Sequence, residues 1–222
     1  MIMERHFHEE LMELKKKIVE MADLVRRMAE ISVGALEARR IDEGDPVHAI
    51  EARVNRLEVE VEKEVLRLLA LRQPAAGDLR FLIAGLKLAH DLERIADQAC
   101  NLSETTGYLL QRPPLGPFSE ISEMAALAQK MIFDAMEAFV THDAALARGV
   151  MRRDDAVDAL KDRIFVELLA RMSREPESIL CAVDLILVSR NLERIADHAT
   201  NIAEEVVFIE EGKNEKHHFE AV

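Results

Sequence analysis

Glu93, Asp97, Asn101 and Glu104 follow one another at intervals of four, four and three residues, and Glu193, Asp197, Asn201 and Glu204 repeat that spacing one hundred positions later. At 100° per residue each set falls within about an 80° arc of a helix, so its oxygen atoms stand in a row on one face. Carboxylates at i and i+4 are about 5–6 Å apart at Cβ, close enough to share a cation or a small metal cluster, and they repel without one. A further acidic row runs beside each set: Glu51 and Asn55 belong to the first and Asp154 and Asp158 to the second, with Glu58 and Glu62, or Asp162, extending it. Oxygen-only ligation favours Mg²⁺, Ca²⁺, Mn²⁺ or iron over a thiolate-type zinc site. The other reading is a solvated acidic face in which Arg94 and Arg194 pair with Asp97 and Asp197 three residues on.

Residues 91–104 and 191–204 share nine identities, and this duplication in register separates the pattern from an ordinary acidic helix. Other chemistry finds little support. Cys100 and Cys181 fit no metal-ligand spacing and lie on apolar helical patterns, as buried free thiols do. His198 has Gln98 as its counterpart and reads as a surface or supporting histidine, not a shared ligand. His6 with His8, and His217 with His218, read as solvated terminal histidines. The Glu-x-x-His spacing of di-iron carboxylate bundles occurs at Glu215 to His218, in a polar tail beyond Gly212 and not on a core-facing helix. Gly77, Gly85 and Gly107 are isolated, so there is no phosphate-cradling loop, and no nucleophile elbow or triad appears. No enzyme is expected.

The elements that must position these rows are helices. Of the 222 residues 49% are hydrophobic and 32% charged, with 8 Gly, 6 Pro, one Tyr and no Trp, which leaves little material for sheets. Periodic apolar residues predict six long helices: about 7–40, 46–71, 79–110 capped by Asp78, 119–142, from Asp143 or Gly149 to 172, and 175–211. Breaks fall at Asp42 to Pro46, with Pro46 in the first turn of the next helix, and at Gln73 to Asp78. The strongest is the proline-rich stretch Arg112 to Pro117. Leu24, Met28, Val54 and Leu57 match Leu127, Met131, Val157 and Leu160 at an offset of 103, against 100 in the third helices, so a connecting loop has lost three residues. The expected architecture is all-α, two pseudo-symmetric antiparallel three-helix bundles. It spans residues 1–111 and 118–211, joined by a linker at 112–117 and followed by a polar tail at 212–222. Leu88, Leu92, Ile95, Ala99 and Leu102 take the core-facing arc, which sets the acidic row beside the core.

A net charge of −13 argues against binding nucleic acid or an anionic membrane, and the Lys15-Lys16-Lys17 cluster reads as a solvated face. No apolar leader precedes the first helix, and the longest apolar runs are short and carry Lys87 and Asp184, so a cytoplasmic protein is expected.

Two copies of L-E-R-I-A-D-x-A-x-N at Leu92 to Asn101 and Leu192 to Asn201, the run Leu69 to Arg80 (LALRQPAAGDLR), and the opening Phe7 to Leu11 resemble the PhoU family over roughly residues 5 to 210. The resemblance implies paired three-helix bundles and a homodimeric, non-enzymatic adaptor between the ATPase of the high-affinity phosphate ABC transporter and the sensor histidine kinase. Such an adaptor touches membrane proteins only peripherally and keeps the phosphate regulon off when phosphate is plentiful. The resemblance also implies metal binding, by iron, zinc, manganese or magnesium, at E/D-x-x-x-D motifs. These map onto Glu93 with Asp97, Glu193 with Asp197, and Asp154 with Asp158. In the first copy the remaining motif is Glu51 with Asn55, a neutral ligand replacing a carboxylate, so the second copy is expected to dominate metal binding. Bridging to a partner ranks ahead of direct phosphate sensing, which at this net charge requires the cations. Two other readings are an accessory protein of a low-affinity phosphate permease and a metal-binding helical bundle of another role.

Overall fold

The apolar stripes close into two antiparallel three-helix bundles laid side by side. The structure, a computed structural model, describes residues 2–41, 46–116 and 119–215, without the side chains of residues 2–5. Residues 42–45 of the first turn, Pro117 of the linker, and His217 and His218 lie outside the described residues. The first bundle comprises α1 (Ile2–Ala38), α2 (Val47–Arg72) and α3 (Ala76–Leu110). The second comprises α4 (Ser119–Thr141), the short α5 (Ala144–Met151), α6 (Asp154–Arg174) and α7 (Ile179–Glu211), with a 3₁₀ turn at Pro176–Ser178 before α7. Among the described residues no helix is long and apolar enough to cross a membrane.

The longest contact between the bundles is the antiparallel seam of α3 against α7. Leu82, Leu88, Leu92, Ile95 and Leu102 of α3 and Val188, Leu192 and Ile202 of α7 are completely buried, together with alanines 84, 96, 99, 182, 196, 199 and 203. Small residues of this kind let long helices approach closely. Partners along the seam run in opposite directions: Arg80 Nε donates to Ile209 O at 3.4 Å, Lys87 Nζ to Glu205 Oε1 at 3.0 Å, and Arg112 Nε to Asp184 Oδ2 at 3.5 Å. α1 meets α4 beside it, where Gln129 Nε2 donates to Ala29 O at 3.2 Å and Lys15 Nζ lies 3.0 Å from His142 Nε2. The lysine cluster is thus engaged: Lys16 and Lys17 pair with Glu13 and Glu60 at 2.6 and 2.9 Å.

Several expected boundaries move. The segment from Asp143 or Gly149 to Met172 is not one helix. It breaks at Arg152 and Arg153, because Arg153 turns inward to pair with Asp134 of α4, a carboxylate only 5% exposed. α3 begins at Ala76, and Asp78 lies in its first turn instead of capping it, where its charge still favours the helix N-terminus. Pro46 precedes α2, its carbonyl accepting from Ile50 N at 2.9 Å. α1 starts ahead of Phe7, and α7 follows the 3₁₀ turn. Gly212, at φ 69°, ends α7 in the left-handed conformation that glycine adopts without steric cost.

Asp143 Oδ1 caps α5, accepting from Ala145 N and Leu146 N at 2.9 Å each. Losing such a cap costs about 1 kcal/mol. Asp143→Ala should accelerate amide hydrogen exchange across α5 by roughly fivefold, while Asp143→Asn stays near the parent rate.

Candidate metal centres

α3 turns its acidic row toward α2, and α7 turns its row toward α6. Neither row is in the core, yet neither is a freely solvated face. In the first bundle the Glu93 side chain is only 12% exposed, and Arg94 reaches back to it (Nε to Oε2, 3.0 Å) and forward to Asp97 (Nη1 to Oδ2, 3.0 Å). The contact with Glu93 is an ion pair without hydrogen-bond alignment, since Oε2 is buried and has no hydrogen-bond partner. Glu58 and His90 complete a three-ligand group with Glu93, one ligand atom from each lying within 4.8 Å of the others. His48, Glu51 and Cys100 form a second such group one helical turn beyond Asp97. Asn55 is exposed, one turn along α2 from Glu51.

In the second bundle the corresponding positions hold Asp154 and Asp158 on α6 and Glu193 and Asp197 on α7. Asp154 Oδ1 accepts from Thr200 Oγ1 at 3.2 Å. Lys161 Nζ bridges Asp158 Oδ1 and Glu193 Oε1, both at 2.9 Å. Lys161 is the counterpart of Glu58 at the 103-residue offset, so one patch has an ammonium where the other has a carboxylate. Among the described residues both tight three-ligand groups lie in the first bundle.

The electrostatics follow from this crowding. Burial, then the neighbouring Asp97, pushes the Glu93 carboxyl above its ordinary range. Asp154 is raised by burial, with Asp158, Asp155 and Glu193 adding and the Thr200 hydrogen bond opposing. Asp197 is pushed up to about 6, by burial first and then by Glu193, Asp154 and Asp158. Asp197 is nevertheless an exposed residue at the edge of the patch, so the facing carboxylates are felt through solvent as well as protein. Lys161 is held above its ordinary value by its hydrogen bonds to Glu193 and Asp158. Burial, reinforced by Glu51, raises the Cys100 thiol.

The helical phase brings Glu51, Glu93 and Asp97 to one face and Asp154, Asp158, Glu193 and Asp197 to another. It does not find His48, His90 or Cys100. The signal for the histidines is a His-x-x-Glu spacing, present at His48/Glu51 and His90/Glu93. Cys100 joins them only through the pairing of α2 with α3. His198 is no surface group: 17% exposed, its Nδ1 lies 2.9 Å from Asp91 Oδ1, and Asn201 Nδ2 donates to the same oxygen at 3.1 Å. Asn201 is therefore committed to the seam between the bundles and does not join the acidic row.

A profile of the PhoU domain matches the chain twice, over residues 18–106 and 121–206. The chain is 36% identical over 208 residues to the "Phosphate-specific transport system accessory protein PhoU homolog" of Aquifex aeolicus, covering 94% of each. Among solved structures, PhoU from Pseudomonas aeruginosa superposes with a TM-score of 0.89 at 35% identity, covering 93% of this chain and 100% of that one. The phosphate transport system regulatory protein PhoU from Streptococcus pneumoniae gives a TM-score of 0.86 at 27% identity, covering 94% and 98%.

The raised Asp197 carboxyl fixes a pH dependence. The folded chain holds that proton more tightly than the unfolded chain, so the stability conferred by the neutral carboxyl is full below pH 3.8 and lost as pH rises through about 6. In the presence of chelator, Asp197→Asn should melt above the parent at pH 7, with the gap closing as pH falls through that window. A calorimetric gap that is the same at every pH would contradict this.

Proposed function

Because the chain belongs to the PhoU family, we propose that it acts as an accessory protein of phosphate transport, an adaptor that couples transporter to sensor and restrains uptake when phosphate is plentiful. The observation that carries this reading is that the family match spans both bundles, each with its acidic patch in the same place. The names of its relatives, which refer to a phosphate-specific transport system, favour that transporter class over a low-affinity permease. Its partners are then the transporter ATPase and the sensor histidine kinase, met from the cytoplasm by a chain acting as a homodimer. The long exposed faces of paired bundles suit a docking role, and regulation in place of catalysis accords with a family of accessory and regulatory proteins.

The patches fit divalent cations. Glu93 Oε2 is a buried oxygen without a hydrogen-bond donor, and the carboxylates facing each other on α6 and α7 repel. Glu51, Asn55, Glu93 and Asp97 would hold a cation in the first bundle, and Asp154, Asp158, Glu193 and Asp197 in the second. A cation bound there supplies positive charge that clamps neighbouring helices and offers coordination sites to a partner's oxygen or to phosphate. For an oxygen-seeking ion such as Mn²⁺ the second patch has a carboxylate, Asp158, where the first has Asn55, and Lys161 is the competitor already seated between Asp158 and Glu193.

Lys161→Met should therefore tighten Mn²⁺ binding measured by titration. Asp154→Ala with Glu193→Ala should remove most of the bound manganese, and Glu93→Ala should remove less. Full retention by the double variant, with loss in Glu93→Ala, would reverse this assignment. Affinity capture from phosphate-replete cells should recover the transporter ATPase and the sensor kinase; recovery of neither would sink the adaptor reading.

A further inference from the structure

We propose that His48 and Cys100 join Glu51, a carboxylate the acidic patch of the first bundle also presents, to form a zinc-type site at the α2–α3 face, set apart from the oxygen-only patches by its imidazole and thiolate ligands. Two observations converge on it. The ligand atoms of the three residues lie within 4.8 Å of one another, with His48 Nδ1 3.5 Å from Glu51 Oε2. Tetrahedral coordination at ordinary Zn–N, Zn–O and Zn–S lengths separates ligand atoms by about 3.3–3.7 Å, so small side-chain rotations complete the site. Two rigid helices carry the ligands: His48 and Glu51 at i and i+3 on α2, and Cys100 opposite them on α3.

The site also has the layering that such centres use. Cys100 is 6% exposed and forms the floor, while the His48 side chain is 59% exposed and leaves a way in from solvent. The second imidazole nitrogen, Nε2, faces Glu104 Oε1 at 3.9 Å, an outer carboxylate that can orient the ring behind the metal. The fourth coordination position is left to water. Binding replaces the thiol proton of Cys100 by the metal and releases that proton to solvent, leaving a thiolate–metal bond. Thiolate and imidazole select Zn²⁺ and similar borderline ions over Mg²⁺ or Mn²⁺.

The second bundle supplies an internal contrast. At the equivalent positions it has Met151, Asp154 and Thr200, and Thr200 simply donates a hydrogen bond to Asp154. A hydroxyl therefore satisfies this geometry as a packing element. The imidazole and the thiol together add what coordination requires, and only the first bundle has both.

Co²⁺ is the probe, used with the full chain carrying Cys181→Ala, so that Cys100 is the sole thiol. One equivalent of Co²⁺ should produce thiolate-to-cobalt charge-transfer absorption and the intense visible bands of four-coordination. Adding Cys100→Thr, which imports the second bundle's own residue, should abolish the charge-transfer band and weaken Zn²⁺ binding by at least about tenfold. His48→Ala, at an exposed position that does not threaten folding, should weaken the band likewise. Asp154→Ala with Glu193→Ala should leave it intact, because carboxylates give no such band; this separates the outcome from that of the Mn²⁺ titration. A folded parent that binds Co²⁺ without the band, or a band indifferent to Cys100→Thr or His48→Ala, overturns the proposal.

Discussion

The register of α3 against α7 is the constraint on which the arrangement of both bundles depends. Apolar packing along the seam brings the helices together, but alanine and leucine surfaces permit more than one sliding position. Buried polar groups do not. Asp91 receives both His198 and Asn201, and Glu205, 2% exposed, receives Lys87, whose ammonium also lies 5.6 Å from the centre of the Phe208 ring. A slide of one turn would strip partners from two carboxylates largely removed from water, and an unpaired buried charge costs several kcal/mol. These pairs thus hold the register that hydrophobic burial alone leaves loose, and with it the position of each acidic row relative to the other bundle.

Within that frame two copies of one helical unit present the same geometry with different side chains. Where the first bundle has Glu58 beside His90 and Glu93, the second has Lys161 between Asp158 and Glu193. One substitution of opposite charge changes what the patch needs: the first has excess negative charge facing nitrogen ligands, and the second partly neutralises itself. Coulomb attraction at 2.9 Å makes the ammonium an internal rival to any external cation. The backbone preserved by the duplication therefore does not imply equal chemistry.

What the amino-acid sequence discloses is what depends on local phase. The six long helices and the acidic rows beside the core follow from apolar spacing, because Leu88, Leu92, Ile95 and Ala99 fix the buried arc without reference to any other element. Features set by partners distant in the chain stay hidden. The break before α6 depends on Arg153 finding the buried Asp134 on α4. The seam role of His198 depends on Asp91, 107 residues away. Cys100 reads as an ordinary buried thiol until α2 sets His48 and Glu51 against it. Each of these is a tertiary contact with no periodic signature.

The perturbed carboxylates are unevenly placed over the molecule. Acids on a solvated face gain from basic partners, and several carboxylates elsewhere on the surface are held down in this way. Glu10 is lowered against its burial by hydrogen bonds from Arg72 and Arg67, Glu60 by Lys17, Glu64 by Arg67, and Glu211 by Arg148. Among the described residues, carboxyls raised above their ordinary range are found at Glu93, Asp154 and Asp197, all within the two rows. Burial beside further carboxylates recurs at the same place in both bundles, only partly offset by Arg94 in one and Lys161 in the other, and this is the arrangement that the proposed cations would complete.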